Sequence, residues 1–280
     1  MIYIDAHQHF WYYGADTHPW INEEMQVLKR DFLPENIKQV FRQNNIDGCI
    51  AVQAAQSEEE THFLLECASD HDFILGVVGW VDLRSDDLEQ RLNYFSGFSK
   101  LSGFRHVVQD EPDPRFMLQP AFLRGIELLR KYNFTYDILV YPSQLEATLE
   151  VVRQFPAQPF VLDHIAKPYI KEGKIKEWER YIRQIASYKQ VYCKVSGMIT
   201  EADWNHWTYA DLVPYLDVIF DCFGTERIMY GSDWPVCLLA GSYAKVKDIF
   251  ERYIDSVSAD EQAKIWGKNA LRFYVKKSNS

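Results

Sequence analysis

The first residues that could do chemistry are two histidines one residue apart, His7-Gln8-His9, within Ile4-Asp5-Ala6-His7-Gln8-His9-Phe10-Trp11. On a strand, residues i and i+2 point to one side about 6–7 Å apart, so two imidazoles here can converge on one metal ion or one substrate group. A single strand histidine is more often a hydrogen-bonded core residue. Two on one face, after an in-register Asp5 and before an aromatic cluster, point to function. Near the other end, Tyr230-Gly231-Ser232-Asp233-Trp234-Pro235 places a carboxylate just past a strand-like segment. There it can take a proton from water or ligate a metal, although an isolated Asp before Trp-Pro could simply cap a turn. Val161-Leu162-Asp163-His164 ends a third segment with an imidazole, and Gly103-Phe104-Arg105-His106 ends a fourth. Arg105 offers a forked donor to a carbonyl or carboxylate, and His106 can donate or shuttle a proton. Adjacent strand residues face opposite sides, so one of the two is expected to face a common site. Lys194, in Cys193-Lys194-Val195-Ser196-Gly197, is either a substrate contact or a structural lysine whose stem packs while its ammonium reaches water.

These groups need a scaffold that brings distant strand ends together. Before His7 the chain alternates, with Ile2, Ile4 and Ala6 on one face and Tyr3, Asp5, His7 and His9 on the other. The apolar face is expected to meet a layer of helices and the histidine face a polar site. Strand-like runs recur at 2–7, 47–53, 73–81, 101–107, 134–140, 159–164, 190–196 and 227–231. Amphipathic stretches lie between them, such as Ile37, Val40 and Phe41, or Leu216, Ile219, Phe220 and Phe223. Capping boxes are predicted for Ser57 with Glu60, Ser143 with Glu146 and Ser258 with Glu261, and Pro214 in the first turn of its helix. Eight βα units without a break predict a (β/α)8 TIM barrel, a single domain over 1–280. The alternative is an open doubly wound sheet, but no Gly-x-Gly-x-x-Gly follows any strand. Helix-to-strand turns are short, whereas strand-to-helix connections are long at 8–35, 108–119, 197–208 and 232–242, as at the mouth of a barrel. Closure pairs the eighth strand with the first, so Asp233 is expected beside His7 and His9.

Composition narrows the classes. A net charge of −10 argues against a nucleic-acid partner or an anionic membrane surface. No apolar run is long enough to span a bilayer, and the chain enters its first strand without a basic, apolar leader, so it is read as cytoplasmic. The five cysteines (Cys49, Cys67, Cys193, Cys222, Cys237) are dispersed and form no Cys-x-x-Cys, as expected of reduced thiols. Aromatic residues make up 15%, and several stand in the long loops, where rings can stack on sugar faces. His62 and His71 read as surface residues, His18 and His206 as loop residues near the mouth. Glu58-Glu59-Glu60 reads as a helix start favoured by the dipole, and the tail from Lys276 as frayed.

Taken in order, the motifs are similar to those of a known family. Asp5-Ala6-His7-Gln8-His9-Phe10-Trp11, Pro19-Trp20-Ile21, Arg30-Asp31-Phe32-Leu33-Pro34, Gly103-Phe104-Arg105-His106 and Leu162-Asp163-His164 are part of the pattern. Lys194-Val195-Ser196-Gly197, Gly231-Ser232-Asp233-Trp234-Pro235 and Gly267-Lys268-Asn269-Ala270-Leu271-Arg272-Phe273-Tyr274 complete it. Together they resemble the amidohydrolase superfamily branch that contains L-fuconolactonases and L-rhamnonolactonases. The resemblance implies a TIM-barrel hydrolase that opens a small-molecule sugar lactone, such as a 6-deoxy-sugar lactone, to its acid. The two-metal pattern of the wider superfamily is not met. The fourth strand carries Arg105 and His106 rather than a lysine that could be carbamylated into a bridge, and the fifth has no histidine. The expectation is one divalent ion, zinc first, on His7, His9 and Asp233 with His164 as a further candidate, or a site that works without metal.

The chemistry then expected has Asp233 as general base on the attacking water. The oxyanion falls to Arg105 or His106, or to a metal, and His164 orients substrate or water. Trp11, Trp20, Trp204 and Trp234 form an apolar rim, with Lys194 a further contact. The rivals are a decarboxylase of the same superfamily acting on an aromatic or unsaturated acid, and a sugar-binding barrel without turnover. A homo-oligomer is left open.

Overall fold

The computed structural model describes residues 1–275; the tail from Lys276 lies outside the described residues. One parallel sheet runs in sequence order through β1 (Ile4–Gln8), β2 (Gly48–Val52), β3 (Ile74–Gly79), β4 (Leu101–His106), β5 (Thr135–Ile138), β6 (Phe160–Leu162), β7 (Val191–Val195) and β8 (Ile228–Tyr230). Each expected strand is present, most of them shortened at the ends, while β1 starts later and runs one residue further than expected. The main intervening helices are α1 (Pro34–Asn44), α2 (Glu58–Asp70), α3 (Leu88–Phe95), α4 (Pro120–Lys131), α5 (Leu145–Gln154), α6 (Lys176–Ala186) and α7 (Tyr209–Phe223). After β8 come α8 (Tyr243–Ile254), α9 (Ala259–Ala263), a π-helical turn over Lys264–Lys268 and α10 (Asn269–Tyr274). The sheet closes at the mouth, where Asp233 N–H donates to His7 O at 2.8 Å and His9 N–H to Trp234 O at 2.7 Å. This is a TIM barrel.

Outward strand residues such as Cys49, Ala51, Phe104, Tyr136 and Ile138 join the helices in the larger core. A second apolar cluster, with Ile4, Ala6, Ile50, Val52, Val161 and Met229, fills the lower barrel and is closed by Ala270 and Tyr274 of α10. The expected division of β1 is therefore wrong in one respect. Ile4 and Ala6 do not face helices; they point into the barrel, as the histidines do. The cause is a one-residue bulge: Asp5 pairs with Cys49 but Gln8 with Ala51, so one extra residue flips the alternation between Ala6 and His7. Asp5 is thereby turned outward, where it accepts from Ser232 N–H at 2.9 Å and Tyr243 O–H at 2.9 Å and ties the first strand to the last.

Two local expectations also change. Ser143 caps no helix; Pro142–Gln144 form a 3-10 turn, and Gln144 Oε1 accepts from Tyr141 N–H at 2.9 Å instead. Pro214 lies inside α7, which begins earlier at Tyr209 behind the Thr208–Asp211 capping box. Ser57 and Ser258 do cap their helices. All five cysteines are free thiols, and no helix among the described residues is long and apolar enough to cross a membrane.

Candidate active site

Strand alternation delivers the interior groups. Arg105 from β4, Asp137 from β5 and Lys194 from β7 all point inward and meet under His7. Lys194 Nζ lies 2.6 Å from Asp137 Oδ2, 3.0 Å from Asp163 Oδ1 and 3.2 Å from His7 Nδ1, with no side-chain exposure. Tyr274 O–H, rising from α10, donates to the same Asp137 oxygen at 2.7 Å. Arg105 Nη1 donates to Asp163 Oδ2 at 3.0 Å and lies 3.3 Å from His7 Nε2, while Nη2 donates to the Gln53 carbonyl. Burial pushes Asp163 up, but Lys194, His7 and Arg105 outweigh it and hold the carboxyl well below the usual range. Asp137 has less positive charge around it, and burial pushes it up to about 6. Burial also drives His7 well below its ordinary value, so the ring stays neutral.

Above this layer, Asp233 faces the histidines. Its Oδ1 lies 3.4 Å from His9 Nε2, 3.9 Å from His164 Nε2 and 4.0 Å from His7 Nε2. His9 Nδ1 is 2.7 Å from the Val52 carbonyl, which can only accept, so Nδ1 carries a proton and the ring turns its Nε2 edge toward Asp233. His164 Nδ1 is 2.9 Å from Ser196 Oγ, and Gly197 leaves room for the ring: a Cβ there would lie 2.5 Å from His164 Nδ1. Burial raises Asp233, but His164 and His9 outweigh it, and the carboxyl sits below its ordinary value. An ionised, enclosed carboxylate beside the neutral imidazoles of His7 and His164 is equipped to take a proton from water or to share a metal ion.

The ligand atoms that all lie within 4.8 Å of one another belong to His7, His164 and Asp233, each buried. Of the expected ligands, His7, Asp233 and the further candidate His164 form this group, and His9 adjoins it, with Nε2 3.4 Å from Asp233 Oδ1 and its ring centre 4.9 Å from that of His7. This donor set fits a single divalent ion. A second would have to share the space around His7 with the Lys194 ammonium and the Arg105 guanidinium.

Other expected residues are placed differently. His106 points outward from β4, stacks on Phe116 with ring centres 4.9 Å apart and meets Glu111 Oε1 at 2.7 Å. It is outside the cluster, and Arg105 is the inward member of the pair. Lys194 neither reaches the mouth nor snorkels to water; it supports His7 from below. Trp11 and Trp234 are buried and pack edge-on against Phe32, and the Trp11 indole N–H is spent on Arg30 O at 3.0 Å. They form a wall behind the site. Trp20 and Trp204 are half-buried, donating to Ala54 O and Thr200 O. His18 is buried among Trp11, Tyr13 and Trp20, whereas His206 is exposed. The sequence reading passed over Asp163 and Asp137 as site residues. Inward alternation on β5 marked Asp137, and Asp163 was hidden by the turn that follows β6.

The family model described as amidohydrolase matches residues 4–275. An L-fucono-1,5-lactonase of Burkholderia multivorans is 42% identical over 97% of this chain and 95% of its own. Another L-fucono-1,5-lactonase, from Burkholderia ambifaria, is 33% identical over 97% and 94%. The crystal structure of a Burkholderia multivorans amidohydrolase with bound zinc superimposes with a TM-score of 0.95 at 40% identity, covering 99% of this chain and 100% of that one. Barrel, strand-end site and likeness agree along nearly the whole sequence, and the chain belongs to the amidohydrolase family.

Proposed function

We propose that this protein is a hydrolase that opens a sugar lactone, a 6-deoxy-sugar lactone such as L-fucono-1,5-lactone, to the sugar acid. The observation that carries the reading is the buried, ionised Asp233 carboxylate among His7, His9 and His164 at the barrel mouth, in a chain 42% identical to an L-fucono-1,5-lactonase. Asp233 takes a proton from the attacking water as its oxygen bonds to the lactone carbonyl carbon. His9, its Nδ1–H fixed on Val52 O, accepts from that water at Nε2 and orients it. His164, held by Ser196, orients the substrate. Arg105 keeps Asp163 ionised and His7 in place. Trp20 and Trp204, half-buried in the mouth loops, offer ring faces to the sugar's C–H surface and methyl group. The domain is taken to span 1–280, and its free thiols suit a reducing compartment such as the cytoplasm.

His7, His164 and Asp233 would hold a divalent ion, zinc being the first choice, and it would supply Lewis-acid polarisation of the carbonyl. The reading also allows a metal-free enzyme, because an ester alkoxide leaves readily. Elemental analysis of purified protein is expected to find no more than one divalent ion per chain; two at full occupancy would contradict the placement of Lys194 and Arg105 beside His7.

A panel of aldonolactones followed with a pH indicator tests the reaction. Acid release is expected from 6-deoxy-sugar lactones. Rates equal to buffer for every lactone would remove the lactonase reading, and release of carbon dioxide from an aromatic acid would favour the decarboxylase.

A further inference from the structure

The chain leaves β6 through an uncommon backbone. His164, Ile165, Ala166 and Lys167 have φ of 52°, 50°, 59° and 45°, four left-handed residues in succession and none of them glycine. For L-residues this conformation costs roughly 1–2 kcal/mol each and is usually adopted singly. Such strain persists where surrounding contacts enforce it. Here the Trp178 indole N–H donates to Ile165 O at 2.8 Å and the Lys167 backbone N–H to His164 O at 2.8 Å. The run turns His164 toward Asp233 and, three residues later, sets Lys167 at the rim. Its ammonium lies 3.0 Å from Glu201 Oε1 and 5.0 Å from the centre of the Tyr141 ring. Unlike the cations below, Lys167 keeps contact with solvent, at 15% side-chain exposure.

Hydrolysis of a lactone places negative charge on the carbonyl oxygen, and a preorganised cation there is worth a large factor in rate. Arg105 is engaged with Asp163 and the Gln53 carbonyl, and Lys194 with Asp137 and Asp163, so neither has an ammonium or guanidinium free to turn upward. Lys167 is held by one half-buried carboxylate and one ring, and its charge is felt at both Asp233 and His164. We propose that Lys167 is the catalytic cation that holds the oxyanion of the tetrahedral intermediate and then the carboxylate of the opened acid, an inference that rests on the lactonase reading. Water oxygen bonds to the carbonyl carbon, its proton passes to Asp233, and the carbonyl π pair moves to the oxygen facing Lys167. On collapse that pair re-forms the C=O bond, the ring C–O bond breaks, the ring oxygen takes the proton back from Asp233, and the second proton of the water leaves the new carboxyl for solvent, giving the carboxylate. Glu201 is the resting partner that keeps the ammonium at the rim.

The test compares Lys167→Met, Lys167→Arg and Glu201→Gln on L-fucono-1,5-lactone, with thermal unfolding read on each. Lys167→Met is expected to lower kcat by about 10²–10³, the scale of a lost oxyanion donor, with a smaller change in KM. Lys167→Arg should restore part of the rate. Glu201→Gln removes the partner's charge but keeps an amide oxygen that can receive the ammonium, and is expected to lower kcat clearly less than Lys167→Met does. A Lys167→Met enzyme within threefold of wild type overturns the inference. So does a Glu201→Gln enzyme as impaired as Lys167→Met, since the pair is then structural. If Lys167→Met does not fold, Lys167→Gln replaces it under the same criteria. Wild-type protein that opens no sugar lactone removes the lactonase reading and this inference with it, whereas turnover by wild type with the Lys167 variants unimpaired removes Lys167 alone.

Discussion

Asp233→Asn is expected to fold normally and to lose about 10²–10⁴ in kcat, the usual share of general-base catalysis. Asn has nearly the shape of Asp and accepts a hydrogen bond, but its amide takes no proton near neutral pH. The backbone should tolerate the exchange, because Asp233 sits at φ 57° and Asn is at least as comfortable there. The rival role, a turn cap, is already filled by other residues: Trp234 N–H donates to Ser232 Oγ at 3.0 Å, and Ser232 N–H to Asp5 Oδ1 at 2.9 Å. The Asp233 carboxylate is directed at His9 and His164 instead. Turnover and thermal unfolding measured on one preparation separate the two roles. Near-normal kcat with a stability loss of about 1 kcal/mol, the scale of one hydrogen bond, would withdraw Asp233 from the mechanism.

Lys194→Met is expected to have the largest effect on stability, a loss of about 3–5 kcal/mol at neutral pH, because removing one partner leaves buried charge uncompensated. Asp163 keeps Arg105, but Asp137 would keep only the Tyr274 hydroxyl. Burial already pushes Asp137 up to about 6, with Lys194 the main opposing influence, so the variant should hold it higher still. A carboxyl whose folded value lies above its unfolded one binds more protons when folded, and stability then falls as pH rises between the two values. The loss in Lys194→Met should therefore be smaller near pH 5 than near pH 8. Adding Asp137→Asn should recover part of it at neutral pH. Urea unfolding across that range is the measurement. A loss below 1 kcal/mol, or one independent of pH, would mean that Lys194 is not the counter-charge the geometry indicates.

The βα alternation of the sequence determined the eight strands and their order, because period-2 and period-3.6 apolar patterns are local properties of the chain. It also placed Asp233 beside His7 and His9, since closing eight parallel strands leaves the free edge of the last no partner but the first. What it could not determine was direction where the backbone departs from regular geometry. The bulge between Asp5 and Gln8 overrides strict alternation and puts Ala6 and His7 on the same side of the sheet. The left-handed run after Leu162 brings His164 into one group with His7 and Asp233. Neither feature has a local signature in residue type, since no glycine stands in either stretch, and both are also held by contacts from outside the stretch, Ser232 and Tyr243 on Asp5 and the Trp178 indole on Ile165. The fate of the buried charges was likewise a tertiary matter. Arg105, Asp137, Asp163 and Lys194 lie on four different strands or strand ends, and only the closed barrel links them, through the pairs Arg105–Asp163 at 3.0 Å, Lys194–Asp163 at 3.0 Å and Lys194–Asp137 at 2.6 Å. There, low dielectric and mutual compensation hold Lys194 in the interior instead of letting it reach water.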